Sequence, residues 1–94
     1  MPNPNYEKGR RVEYVIKKKL EERGFLVLRS PASKGAFDLL AVAPGGGRLL
    51  MVSCKSDGYI PPGELERLLE VAQKYGAEAY VSQKEGGEWV LEPL

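Results

Sequence analysis

The stretch that most constrains the fold is AFDLLAVAPGGGRLLMVSCKS, residues 36–56, two apolar runs around Pro-Gly-Gly-Gly. A connection this short joins neighbouring strands antiparallel, so 36–43 and 48–56 are predicted to form a hairpin around the turn at 44–47. The hairpin sets Asp38 and the 53–55 segment at the same height on adjacent strands. Ser53 and Lys55 share one face of their strand, because side chains alternate with period two. A carboxylate, a hydroxyl and an amine therefore converge where the hairpin opens. A carboxylate within an apolar strand is costly to bury unless it is paired, metal-bound or at the strand's edge. Asp38 taken alone leaves two readings open: an acceptor for backbone amides of the loop before it, or a functional acid.

The flanking segments supply the layers. A helix capped by Asn5 and running to about Arg23 would bury Val12, Val15, Ile16 and Leu20, with Gly24 at its C-cap. FLVLRS (25–30) reads as a short strand and PASKG (31–35) as a loop. After the hairpin, DGYIPPGE interrupts the pattern, and Pro61 or Pro62 opens a second helix to about Tyr75. That helix is expected to bury Leu65, Leu68, Leu69 and Ala72 and to stop at Gly76. EAYVSQ (78–83) follows as a fourth strand, free after a crossover helix to run parallel to an earlier one. EWVLEPL (88–94), across the KEGG turn, closes the sheet as an edge strand. The order α-β-β-β-α-β-β describes an α/β fold, a mixed five-stranded sheet flanked by helices, in a single domain over 1–94.

Composition narrows the chemistry. The 94 residues contain no histidine, which excludes Ser-His triads and histidine-based zinc sites together. Any metal would have oxygen ligands, favouring magnesium or manganese over zinc. The single cysteine allows no internal disulfide and suits a reducing, cytoplasmic setting. The N-terminal residues lack the apolar core of a signal peptide, and no apolar run approaches the ~20 residues of a membrane helix, so no membrane association is expected. The formal charge of +1 conceals an asymmetry: residues 1–60 carry eleven Lys/Arg against six Asp/Glu, whereas 61–94 carry three against seven. A basic first half presents a face to a polyanion, or simply a solvated helix surface.

Several side chains could serve such a face. Lys8, Arg10 and Arg11 lie near the start of the first helix, and 17–19 is a lysine triplet. The loop RSPASKG offers Arg29, Ser33 and Lys34 with flexible Gly35, groups suited to phosphate contacts or to a plain connection. Glu13 flanks the buried stripe of the first helix and faces partly inward; it matters only if the helix delivers it to the Asp38 cluster. Cys54 reads as a small buried residue, and Tyr75, Tyr80 and Trp89 as core or interface aromatics. Gly45 to Gly47 form a turn rather than a phosphate loop, since no helix and no Gly-Lys-Ser/Thr follows.

The run NYEKGRRVEYVIKKKLEERGFLVLRSPASKGAFDLLAV, the strand LLMVSCKS and the later unit ELERLLEVAQKYGAEAYVS resemble the archaeal-type Holliday junction resolvases, which also occur in phages. These belong to the PD-(D/E)xK nuclease superfamily, with the restriction-endonuclease-like fold. The similarity covers about residues 6–82. A bare acid-strand-x-Lys pattern would be weak; the ordered set of helix glutamate, Arg-Ser strand end, strand aspartate and lysine strand is far more specific.

The resemblance implies that Glu13 and Asp38 are metal-binding carboxylates and that Lys55 positions the attacking water and stabilises charge on the phosphate. It implies that Arg29, with Ser33, lies against DNA near the scissile phosphate. It further implies a magnesium-dependent homodimer, with manganese a substitute, cutting four-way junction DNA symmetrically, with the helix at 63–75 in the dimer interface. A cytoplasmic location follows, the host's cytoplasm if the source is viral. One position departs from the pattern: the family has a carboxylate two residues before the lysine, and this chain has Ser53. Serine is a neutral, weak ligand, so the catalytic set Glu13, Asp38, Ser53 and Lys55 is expected to be weakened or inactive. Two explanations of Ser53 stay open, an altered chain made to bind without cutting or a natural member with a displaced carboxylate; beside the resolvase function stand a non-catalytic branched-DNA-binding protein on the same scaffold and a nuclease for other structures such as flaps or nicks. Asp57, on a turn past the strand end, is a poor substitute.

Overall fold

The computed structural model describes residues 4–30 and 36–94, with side chains from residue 11 onward. Helix α1 spans Pro4–Glu22 and is followed by β1 (Leu26–Arg29), β2 (Leu39–Val42) and β3 (Leu49–Ser53). Helix α2 (Pro62–Tyr75) then leads to β4 (Glu78–Glu85) and β5 (Glu88–Pro93). The five strands form one sheet in chain order, antiparallel except for the β3–β4 pair, which is parallel. The predicted α-β-β-β-α-β-β order and mixed sheet are therefore present. The crossover through α2 is what makes β4 parallel to β3, because a helix-long connection returns the chain to the same end of the sheet.

The β2–β3 hairpin sets the register. Leu39 pairs with Val52 and Val42 with Leu49. Its connection is a single 3-10 turn, Pro44–Gly46, in which Gly45 and Gly46 have φ of 84° and 74°. Side chains other than glycine rarely adopt that left-handed backbone, which explains the glycine run.

Two apolar layers cover the sheet. On one face Val12, Ile16 and Leu20 of α1 pack with Val27, Leu39, Ala41, Leu50 and Val52. On the other, Leu68 and Ala72 of α2 pack with Met51, Ile60, Ala79 and Val81. Alternation along β3 accounts for this division: Leu50 and Val52 face α1, while Met51 faces α2. Ser53, buried at 6% exposure, follows Met51 towards the α2 side.

Some local expectations need correction. Helix α1 begins at Pro4, so Asn5 lies within its first turn instead of capping it; proline's fixed φ suits an opening helical position. The hairpin strands are shorter than their apolar runs, and β3 ends at Ser53, leaving Lys55 outside the ladder. Leu69 is 40% exposed: α2 meets the sheet through Leu68 and Ala72, with Leu65 and Val71 partly buried beside them, and Leu69 falls outside that stripe. Tyr75 is outside the core, exposed at the helix end under the Lys74 amine, which leaves the interface alternative of the two read from the sequence. The αL stop at Gly76 is present, and its N–H bonds back to the Gln73 carbonyl.

Candidate active site at the mouth of the hairpin

Asp38 lies one residue before β2, at the open end of the hairpin. Its N–H donates to the Val52 carbonyl at 2.9 Å, although Val52 is the register partner of Leu39. Two consecutive residues thus address one, as in a β-bulge, a device that re-aims a side chain at the end of a ladder. The Asp38 carbonyl accepts the Ser30 N–H at 2.9 Å, tying the end of β1 to the same point. The carboxylate Oδ2 accepts the Cys54 N–H at 2.7 Å. Asp38 is thereby fixed against the backbone between Ser53 and Lys55. The expected equal height of these residues is met.

Lys55 is held by its backbone and by its amine. The hydroxyl of Ser82, wholly buried on β4, accepts the Lys55 N–H and donates to the Lys55 carbonyl, both at 2.7 Å. A buried hydroxyl satisfied in both roles takes the place of the ladder bonds that β3 no longer offers here. The Lys55 amine lies 3.1 Å from Glu64 Oε2 in the first turn of α2. Its partner is therefore an acid of the opposite helix layer, and the lysine does not close on Asp38.

Glu13 and Arg29 meet from the α1 side, with Arg29 Nη2 2.9 Å from Glu13 Oε2. Glu13 is the more covered of the two, 22% exposed against 49% for Arg29, in keeping with a residue beside the buried stripe. Cys54 lies amid these groups and packs against the α1-side core. Burial pushes its thiol well above the ordinary cysteine range, and the Asp38 and Glu13 carboxylates add to the rise, while Lys55 and Arg29 oppose it. The thiol is held protonated, the inert reading made from the sequence.

The remaining predicted DNA-binding residues are less informative. Arg11 is exposed on α1. The side chains of Lys8 and Arg10, and the whole of Ser33 and Lys34, lie outside the described residues. Of the lysine triplet, Lys17 is engaged by Glu21 at 2.9 Å, leaving Lys18 and Lys19 on the exposed surface. A groove of about 490 Å³ at the other end of β3, lined by Arg48, Tyr80 and Trp89 among others, takes in Lys19 of the lysine triplet but none of Glu13, Arg29, Asp38, Ser53 and Lys55.

Two participants escaped the sequence reading. Glu64 is nine residues from Lys55 and looks in sequence like an ordinary acid in a first helical turn. Ser82 had one signal, a small polar residue in the apolar strand EAYVSQ.

With this geometry, comparison with known proteins is decisive. The family model for archaeal Holliday junction resolvase matches residues 4–94. The chain belongs to the archaeal Holliday junction resolvase family. It is 36% identical over 90 residues to crossover junction endodeoxyribonuclease Hjc of Methanocaldococcus jannaschii, covering 92% of this chain and 65% of that protein. It is 31% identical over 90 residues to the Hjc of Sulfurisphaera tokodaii, covering 87% and 62%. The chain thus spans just under two thirds of the length of these relatives. Among solved structures it resembles Archaeoglobus fulgidus Hjc, with a TM-score of 0.76 and 30% identity, covering 92% of this chain and 72% of that one. Nucleases of this resolvase family are generally metal-dependent.

Set beside that family property, the donor set here is thin. Among the described residues, no three Asp, Glu, Cys or His side chains gather closely enough to hold a metal ion. Glu13 is committed to Arg29, one oxygen of Asp38 to an amide, and position 53 is a serine. The residues as arranged do not make a three-donor metal site. No described helix is long and apolar enough to cross a membrane.

Proposed function

We propose that this chain is a structure-selective endodeoxyribonuclease acting on four-way DNA junctions, with chemistry attenuated by Ser53. The observation that carries the reading is the Asp38 carboxylate seated on the Cys54 amide, with Lys55 next in the chain. This is the strand-aspartate and lysine pair on a resolvase-family scaffold. Lys55 offers positive charge to a phosphate, and Arg29 stands at the end of β1 to meet the backbone beside it. Glu13 and Asp38 are the carboxylates assigned to the metal, and all-oxygen donors suit magnesium, with manganese in its place. They are two donors on separate elements, so the chain falls one acid short of the family pattern.

A junction presents two strands for symmetric cutting, which calls for two sites related by a two-fold axis. Apolar surface for such a homodimer exists: Leu26 and Leu28 of β1 and Leu69 and Tyr75 of α2 are all exposed. Junction selection then rests on a shaped basic surface across the dimer, without reading bases. A cytoplasmic setting fits the lone free cysteine, Cys54.

The second reading, a branched-DNA-binding protein without catalysis, is favoured by Ser53 and the missing three-donor cluster. Restoring the carboxylate separates the two. With magnesium, Ser53→Glu should place paired symmetric nicks in a four-way junction at a rate at least ten-fold above the unsubstituted chain. The unsubstituted chain should bind the junction in preference to duplex of equal length. Tight junction binding with no cut by either protein would establish the binding module instead.

A further inference from the structure

We propose that the groove beside α1 binds an unpaired DNA strand, whose bases stack on Trp89 and Tyr80 while Lys19 and Arg23 meet its phosphates. The inference goes beyond the nuclease reading and does not need it, since a strand can be held there whether or not the hairpin mouth cuts.

The groove follows from the widths of the layers. One helix is about 10–12 Å across, whereas five strands about 4.8 Å apart span roughly 19 Å between the outer backbones. Helix α1 packs on Val27, Leu39, Ala41, Leu50 and Val52 of β1, β2 and β3, which leaves the same face of β4 and β5 without a helix. Tyr80, Trp89 and Leu91 lie on that face and are each only half-buried. With Phe25 and the flank of α1 they line the groove of about 490 Å³. That volume lies within the roughly 300–1,000 Å³ of small-ligand sites. Two turns of a peptide helix, about 11 Å long and 10–12 Å across, would overfill it.

The aromatic floor is held in place. The Tyr80 hydroxyl donates to Glu78 Oε1 at 2.8 Å, and the Lys84 amine lies 5.9 Å from the centre of the Trp89 ring. Tyr80 and Lys84 are four residues apart on β4, and Lys84 is the register partner of Trp89, so the two rings stand roughly 13 Å apart along the sheet. A fixed, half-open ring offers its face to any base. The rim supplies charge: Lys19, Arg23 and Arg48 border the groove against a single acid, Glu22. Arg48 is engaged by Glu78, whereas the side chains of Lys19 and Arg23 have no ion pair or hydrogen bond among the described residues. Two such cations beside an aromatic floor fit an anion that carries flat rings. The Trp89 end also reaches the height of the candidate active site, because the Lys84 N–H donates to the Ser56 carbonyl at 3.2 Å.

Trp89 is the only tryptophan in the chain, so its fluorescence reports the stack directly. The full chain, without divalent metal, is titrated with octathymidylate, with a duplex of equal length and with polyphosphate. Octathymidylate should quench Trp89 and bind at least ten-fold tighter than the duplex. Lys19→Gln combined with Arg23→Gln, both exposed positions, should weaken octathymidylate at least ten-fold with an unchanged melting temperature. Lys74→Gln, a cation of the α2 layer, should change it by less than two-fold. Followed by anisotropy of the labelled oligonucleotide, Trp89→Leu should weaken binding about ten-fold, the scale of one lost base–aromatic stack. Absence of quenching by octathymidylate overturns the proposal, as does equal quenching by polyphosphate, which has charge and no bases. Quenching lost in Arg29→Gln but kept in the Lys19→Gln, Arg23→Gln protein also overturns it, placing the strand at the hairpin mouth and leaving the junction reading intact. Quenching by an acidic amphipathic peptide and none by the oligonucleotide would assign the groove to a protein partner instead.

Discussion

The two ends of β3 carry charged groups of opposite character. At its start, Arg48 meets Glu78 through two parallel bonds of 2.8 and 2.9 Å, and the Tyr80 hydroxyl donates to the same carboxylate at 2.8 Å. Both carboxylate oxygens are taken, by partners on the paired strands themselves or, for Arg48, just before β3. At its other end, Glu13, Asp38 and Glu64 each have one described oxygen engaged, by Arg29, an amide and Lys55 in turn. They arrive from α1, the β2 entrance and α2. The Arg48 network uses both oxygens of its carboxylate within the protein, and being exposed it adds little stability. The three acids at the other end come from three layers and are held in separate pairs.

The largest effect that would sharpen this contrast is at Asp38. In the Ser53→Glu background, Asp38→Asn should lower junction cleavage by about 10²- to 10³-fold, the scale of losing one preorganised charged group, while gel-shift affinity for the junction changes little. If Arg48→Met lowered cleavage as far, the two ends would not differ in kind. Next comes Ser82→Ala, which strips both partners from the Lys55 backbone. Chemical denaturation should register a loss of about 1–3 kcal/mol, and cleavage should fall as the lysine loosens. Stability unchanged by that substitution would mean that water replaces the hydroxyl without cost.

Cys54 provides a finer probe. Because burial and two neighbouring carboxylates hold its thiol protonated, native protein at pH 8 should react with iodoacetamide far more slowly than unfolded protein. Comparable rates would show the site open to solvent. The smallest expected effect is at the Arg48 end. The arginine, then the Tyr80 hydroxyl, holds the Glu78 carboxyl down at about 2, against 4.5 in the absence of such partners. A depressed carboxyl contributes stability above its unfolded value that is lost as pH falls from about 4.5 towards 2. Glu78→Gln should flatten that part of the unfolding profile slightly and leave cleavage at neutral pH unaltered.

Much of this was legible in the chain. The glycine turn and the apolar runs beside it define the hairpin, and the hairpin alone places Asp38 against residues 53–55. Helical spacing gives Val12, Ile16 and Leu20, and hence the inward lean of Glu13. What was not legible depends on connections that close in space. Glu64 is distant from Ser53 in sequence, and only the turn at Asp57, laid against Gln83, brings α2 back to Lys55. Ser82 is on another strand, and its role follows from the early end of β3, which an apolar pattern continuing through Cys54 conceals. Lys55 lies beyond the β3 ladder, so its side, the one it shares with Ser53 in the sequence reading, is held by the Ser82 hydroxyl and by Glu64 of the α2 layer rather than by ladder bonds. Leu69 was misplaced because a helical stripe does not reveal how wide a surface its partner sheet offers.

The central claim is that this scaffold cuts junctions and that position 53 limits the cutting. Strand-by-strand mapping of cleavage, on a four-way junction labelled in turn on each arm, tests it most directly. The account predicts that Ser53→Glu with magnesium nicks one pair of opposing strands at symmetric positions, leaving 5′-phosphate and 3′-hydroxyl ends, with the unsubstituted chain giving the same map at a lower rate. Cuts scattered over all four strands, or an intact junction under saturating protein, would contradict it.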